Sequence, residues 1–205
     1  MFLEEKINGH IIKLETGNYY FSPSGIDKGT SFMLSRTKVS PEDKALDLGC
    51  GYGIVGIYLY NEGCRDIVMC DISDEAVKLS SENLILNGVQ GVRVFKSDGL
   101  KDIPDSDFTL ILSNPPYHTD FSVAKSFIED GFHKLRIGGR MIMVTKRLDW
   151  YKNKLISVFG GVRIAEQDGY YVFTAEKRSD KFAPRKKKEK NVLSKKLQRK
   201  QNRTR

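Results

Sequence analysis

The chain has no apolar run of about 18 residues, the length a membrane-spanning helix needs, so it is not expected to cross a bilayer. Its first residues, Met1-Phe2-Leu3-Glu4-Glu5-Lys6, lack the basic-then-apolar order of a secretory signal. Cysteine is scarce: Cys50, Cys64 and Cys70 are an odd number at no metal-ligand spacing. Neither a disulfide framework nor a metal site is expected, and a reducing cytosol with free thiols is the simplest setting. There is no internal repeat and no sign of a second folded domain. The expected organisation is one domain over residues 1–176 and an extension over residues 177–205.

What is abundant is positive charge, and it is unevenly placed. Residues 177–205 hold fourteen Lys or Arg against Asp180 and Glu189, a net of +12, whereas the rest of the chain nets −4. Segments such as Arg185-Lys186-Lys187-Lys188 are too charged and too poor in apolar residues to fold alone. A disordered tail is expected, with a polyanion as partner. RNA and DNA both fit. A membrane surface fits less well because no amphipathic face accompanies the charge.

Residues 45–56, Ala-Leu-Asp-Leu-Gly-Cys-Gly-Tyr-Gly-Ile-Val-Gly, organise the remainder. A buried parallel strand over residues 44–47 runs into a turn with Gly49, Gly51 and Gly53, and a helix follows over residues 54–61. Such a turn lets a ligand approach the backbone and meet the helix amides, as at the carboxyl end of the first strand of an open α/β sheet. Gly51-x-Gly53-x-x-Gly56 with Asp71 about 20 residues on also satisfies the dinucleotide fingerprint, which leaves a hydride-transfer enzyme as a competing reading. Asp47, inside the cradle, argues otherwise: it would repel a pyrophosphate and attract the ammonium and sulfonium of S-adenosylmethionine.

Later strands add ligand candidates at their carboxyl ends. Residues 67–70 lead to Asp71, placed to accept ribose hydroxyls, with Ile72 beside it. A helix spans residues 74–86, closed by Asn83, Asn87 and Gly88. Residues 92–95 lead to Ser97 and Asp98, the latter suited to an adenine amine. Before the cradle, a hairpin is expected over residues 7–21 with its turn at 16–18. A helix over residues 30–40 then buries Phe32, Met33 and Leu34, and Asp27-Lys28-Gly29-Thr30 can fold over the ligand with Thr30 at its methionine end.

After the strand at 108–112 stands Asn114-Pro115-Pro116-Tyr117-His118. The prolines stiffen the backbone and remove two donors, leaving the Asn114 side chain and the Pro115 carbonyl as acceptors. Two acceptors on one amino group direct its lone pair, and Tyr117 offers a face for base stacking. This suits methyl transfer to a planar amine, with Asn114, Pro115, Pro116 and Tyr117 as the catalytic set and catalysis by positioning and water exclusion. His118 is open between a base, a phosphate contact and neither. Downstream, a helix over 121–135 ends at Ile137-Gly138-Gly139 and a strand spans 141–144. A helix over 149–159 turns Trp150 and Leu155 inward with Tyr151 at its edge, and an antiparallel pair, 162–165 and 170–175, closes the domain.

Asp47-Leu48-Gly49-Cys50-Gly51-Tyr52-Gly53, Asp71 and Asn114-Pro115-Pro116-Tyr117 together resemble class I S-adenosylmethionine-dependent methyltransferases, over residues 19–176. Asn114 to His118, Asp27 to Thr30 and the strand from Tyr171 are similar to the small-domain enzymes that methylate guanine N2 in bacterial small-subunit ribosomal RNA. The resemblance implies a Rossmann-like α/β fold, with a seven-stranded mostly parallel sheet whose last strand is antiparallel and helices on both faces. It also implies S-adenosyl-L-methionine as cofactor, held by Thr30, Asp47, Gly49, Cys50, Gly51, Gly53, Asp71, Ile72, Ser97, Asp98 and Asn114, and Asn114 as the residue that orients the amine. The best-known members carry two tandem methyltransferase-like halves, and this chain has one half and a basic tail. Adenine N6, a protein glutamine amide and a non-enzymatic RNA-binding role remain the alternatives.

Overall fold

The computed structural model describes residues 2–16, 26–116 and 121–183. The expected roles of Tyr117 and His118, the strand at 19–21 and the tail beyond residue 183 lie outside them.

Fourteen elements follow in order: β1 (Phe2–Ile7), β2 (His10–Glu15), α1 (Lys28–Arg36), β3 (Lys44–Leu48), α2 (Ile54–Asn61), β4 (Asp66–Asp71), α3 (Asp74–Leu86), β5 (Arg93–Lys96), β6 (Phe108–Ser113), α4 (Phe121–Lys134), β7 (Leu135–Thr145), α5 (Leu148–Phe159), β8 (Arg163–Gln167) and β9 (Tyr170–Glu176). Seven strands form one sheet in the order β5-β4-β3-β6-β7-β9-β8. The pairs from β5 to β7 are parallel, and β9, the last strand of the described residues, is antiparallel to both its neighbours.

Alternation along each strand feeds two cores. Ala45, Met69, Leu110, Leu112 and Ile142 face α1, α2, α3 and the hairpin. Leu46, Leu48, Val68, Ile111 and Met143 face α4 and α5. Strands buried on both faces read as near-continuous apolar runs; in β6 all six residues are buried, and its two hydroxyls are satisfied, Thr109 donating to the Asp43 carboxylate and Ser113 to Leu48 O. Trp150 and Tyr151 exchange their expected places: Tyr151 is buried, and Trp150 lies half-exposed, stacked on Phe121 at 4.3 Å.

The hairpin differs from expectation. Its strands are β1 and β2, and its turn is Asn8-Gly9, with φ of 47° and 92°. Both values are left-handed, which Asn-Gly supplies with little strain and which matches the twist of a two-residue connection. The hairpin is tied to α3 by two amides expected to close that helix. Asn83 accepts from Glu15 N at 2.7 Å and donates to the carbonyls of Glu15 and Tyr52, both at 2.8 Å. Asn87 accepts from Lys13 N and donates to Lys13 O.

Two further boundaries move. Helix α1 begins at Lys28 because Asp27 caps it, its carboxylate accepting from Thr30 N at 2.9 Å. Strand β7 takes up residues 135–140, expected as the end of a helix. Gly138 N donates to Lys177 O and Lys177 N to Gly139 O, which carries the ladder with the last strand onward. The body therefore continues past residue 176: Lys177 is buried with its ammonium on Leu135 O at 2.7 Å, and Ala183 N donates to Val158 O at 3.0 Å.

Candidate functional site

The chain winds outward from β3 to β4 and β5, then returns to the other side of β3 to lay down β6. Ligands of open α/β sheets bind where the strand order reverses in this way, beyond the carboxyl ends. Asp47 of β3 pairs in register with Leu112 of β6. The glycine turn and Asn114 therefore leave adjacent strands at one level, facing one crevice.

The turn is built as the sequence asks. Gly49, Gly51 and Gly53 have φ of 78°, 54° and 89°, a left-handed conformation costly to side chains with a Cβ. Gly49 N and Cys50 N both donate to Cys70 O at 2.9 Å, and Gly51 N donates to Asp71 Oδ2 at 3.0 Å. A Cβ on Gly51 would meet no protein atom within 4 Å, and Gly51 lines the crevice. Gly56 serves packing instead, because a Cβ there would reach Met69 Sδ at 2.3 Å.

The crevice has two compartments that share Gly49, Gly51 and Asn114. The larger, about 380 Å³, is lined by Asp71, Ile72, Ser97, Asp98, Pro115, Pro116 and Phe127 among others. That volume lies within the roughly 300–1,000 Å³ of small-molecule pockets. Ile72 is 63% exposed, an apolar face with no role in the core. Asp71 is not the cap of α3: Ser73 is, accepting from Ala76 N, while Asp71 Oδ1 accepts from Ser73 N at 3.0 Å. Ser97 is buried and donates its N–H to Asp71 O, and Asp98 is exposed and ion-paired with Lys101.

The smaller compartment, about 70 Å³, is lined by Asp27, Thr30, Asp47, Cys50 and Tyr52. Asp47 is 2% exposed and, among the described residues, accepts from Gly56 N at 3.2 Å. Burial pushes its carboxyl up to about 7; the Gly56 bond opposes this, and the Asp71 charge adds to it. A buried carboxylate short of donors is a receptor for a cation. Burial also pushes the Cys50 thiol well up and Cys70 to about 12, so neither is a nucleophile.

Asn114 stands between the compartments. Its amide nitrogen donates to Asp27 Oδ2 and to Thr30 Oγ1, both at 2.9 Å, which fixes the amide oxygen as the acceptor end. The sequence named Asp27 only within the segment expected over the ligand, with Thr30 as the contact; in the structure Asp27 is the centre of this network. Besides capping α1 it accepts from the Tyr170 hydroxyl at 3.2 Å. Gly29 permits the approach, since a Cβ there would lie 2.6 Å from the Tyr170 ring. The separations of 87 and 143 residues explain why no local pattern revealed the partners. Every expected cofactor-binding residue borders this crevice or the turn beside it; of the expected catalytic residues, Asn114, Pro115 and Pro116 do so, and Tyr117 lies outside the described residues.

A family model described as methyltransferase small domain matches residues 12–174. Ribosomal RNA small subunit methyltransferase C of Cronobacter sakazakii is 33% identical over 156 residues, covering 74% of this chain and 45% of that one. The protein of the same name from Citrobacter koseri is 32% identical, covering 82% and 49%. The chain thus spans about half the length of the curated relatives it matches. Among solved structures, a T. thermophilus 16S rRNA N2 methyltransferase in complex with AdoMet and guanosine superposes with a TM-score of 0.79. It is 24% identical, over 87% of this chain and 50% of that one, a likeness of fold.

Proposed function

The chain belongs to the methyltransferase small domain family, and from that premise we propose that it is an S-adenosylmethionine-dependent methyltransferase acting on guanine N2 of ribosomal RNA. The observation that carries the reading is Asn114, its amide nitrogen held by Asp27 and Thr30, at the meeting point of the two compartments.

The residues present fit S-adenosylmethionine. Asp71 would hold the ribose hydroxyls, Ile72 and Phe127 the adenine, Ser97 and Asp98 its amine, and Asp47 the cationic end. Gly51 leaves the room that a Cβ would fill. When bound, S-adenosylmethionine supplies an electrophilic methyl group on a sulfonium. The protein does the rest by holding the acceptor. The Asn114 amide oxygen and the Pro115 carbonyl accept the two N–H groups of the guanine amine, so its lone pair is turned away from the ring and toward the crevice. No residue need remove a proton first; the amine loses one after transfer. Tyr117 supplies the stacking face. Alignment and exclusion of water account for the acceleration.

The names of the relatives support RNA as the acceptor. The cationic tail supports it too, as a sequence-independent contact to phosphates. The test is incubation of the protein with small ribosomal subunits and methyl-labelled S-adenosylmethionine, then digestion to nucleosides. N2-methylguanosine is expected. N6-methyladenosine, or label in protein, would replace the acceptor, and no label at all would remove the activity.

A further inference from the structure

Two cations at the carboxyl end of β7 play no part in the fold or the site so far. Lys146 and Arg147 are exposed, and among the described residues no ion pair holds either of them, or Lys28. Each lies over an aromatic ring instead. Lys146 Nζ is 4.8 Å from the centroid of Tyr170, and Arg147 Cζ is 4.9 Å from that of Phe121. Phe121 in turn stacks on Trp150 with 13° between the ring planes, so the ring beneath Arg147 is itself held in a stack.

Their position follows from the sheet. Ser113 pairs with Met143 in register, so Asn114–Pro116 and Thr145–Arg147 leave neighbouring strands at one level. Tyr170, under Lys146, donates to the Asp27 carboxylate that holds Asn114. Phe121, under Arg147, opens the helix whose Val123 and Phe127 line the larger compartment. The two cations therefore stand on two arms around Asn114. A hollow of about 290 Å³ continues from Tyr170, lined by Lys28, Ser31, Gln167 and Asp168. Arg147 is also badly placed for stability. It occupies the N-cap of α5, where it offers no acceptor to the helix amides and sets a cation against the positive end of the dipole.

We propose that Lys146 and Arg147, with Lys28 across the hollow, bind the phosphates that flank the target base of an RNA strand, Arg147 being positioned over the Phe121 ring. This rests on the reading that the acceptor is RNA. Cations without acidic partners beside an acceptor site fit a polyanion, and a guanidinium already stacked loses little freedom when it binds one.

The test uses the full chain as wild type, as Lys146→Gln and Arg147→Ser, and as the double variant, with small-subunit ribosomal RNA as substrate. The double variant is expected to raise KM for RNA about tenfold or more. The slope of log KM against log salt should become shallower by roughly 0.7–0.9 per cation removed. The affinity for S-adenosylmethionine should stay as in wild type. Arg147→Ser should melt no lower than wild type, because serine is the better cap; this separates a binding role from a structural one. Wild-type KM and salt slope in the double variant would overturn the inference alone. A wild-type protein that methylates no RNA would overturn the substrate reading and the inference with it.

Discussion

Asn114 is a half-buried amide whose orientation is set by other residues, and that is where its chemistry can be tested. Removing Asp27 takes one of two described acceptors from the amide nitrogen, loosening its orientation, and leaves the Tyr170 hydroxyl without this acceptor. A misplacement of about 1 Å at a reacting group costs on the order of 100-fold. Asp27→Ala is therefore expected to lower kcat by about that factor, measured by single-turnover methyl transfer, with a smaller change in KM for RNA. Asp47 makes a prediction in pH. The fold raises its carboxyl from the usual 3.8 to about 7, and the ionised form is the one that receives a cation. Affinity for S-adenosylmethionine should rise with pH up to about 7, by up to about tenfold per unit, and flatten above. Calorimetry across this range checks it, and Asp47→Asn should abolish the slope. The same shift acts on folding with the opposite sense. The folded protein keeps a proton that the unfolded chain loses, so this group favours folding at low pH, and its contribution fades as pH climbs from about 4 to about 7.

Elements explain what was legible and what was not. The central helices and strands follow from local pattern: α2 and α3 lie where the apolar spacing put them, residues 54–61 and 74–86. The glycine turn, Asp71 and the Asn-Pro-Pro loop were legible for the same reason, each being a short motif at a strand's end. An N-terminal hairpin was legible, but its Asn8-Gly9 turn was missed because Thr16-Gly17-Asn18 is a competing turn signal and only pairing identifies the partner strands. Asp27 was read only as part of the segment over the ligand because its partners, Asn114 just past β6 and Tyr170 of β9, are distant in sequence. The tie between hairpin and α3 was hidden likewise. Asn83 is fully buried, and its replacement by Ala would strand Glu15 N and two carbonyls. Each such group costs roughly 1–3 kcal/mol, so Asn83→Ala should show a clear loss in urea denaturation, whereas the more exposed Asn87→Ala should lose less.

At the scale of the whole molecule, charge and fold divide the labour. The net −4 of residues 1–176 would not draw this body to RNA, while the extension carries +12. Because packing runs through Ala183, a truncation that tests the extension must end there and not at Glu176, or the buried ammonium of Lys177 is lost with it. The chain ending at Ala183 is expected to keep its melting temperature and to bind RNA more weakly with a shallower salt dependence, as fewer counterions are released. Equal affinity and slope would leave the extension without a part in binding. The relatives are about twice as long as the stretch they share with this chain.

The account depends on donor and acceptor meeting at Asn114. The most direct measurement is a pair made on Asn114→Ala: methyl transfer to ribosomal RNA and calorimetric affinity for S-adenosylmethionine. Removing one hydrogen-bonding group aimed at the reacting centre should lower kcat by about 100- to 1,000-fold, with cofactor affinity close to wild type. Transfer at the wild-type rate by this variant would contradict the account.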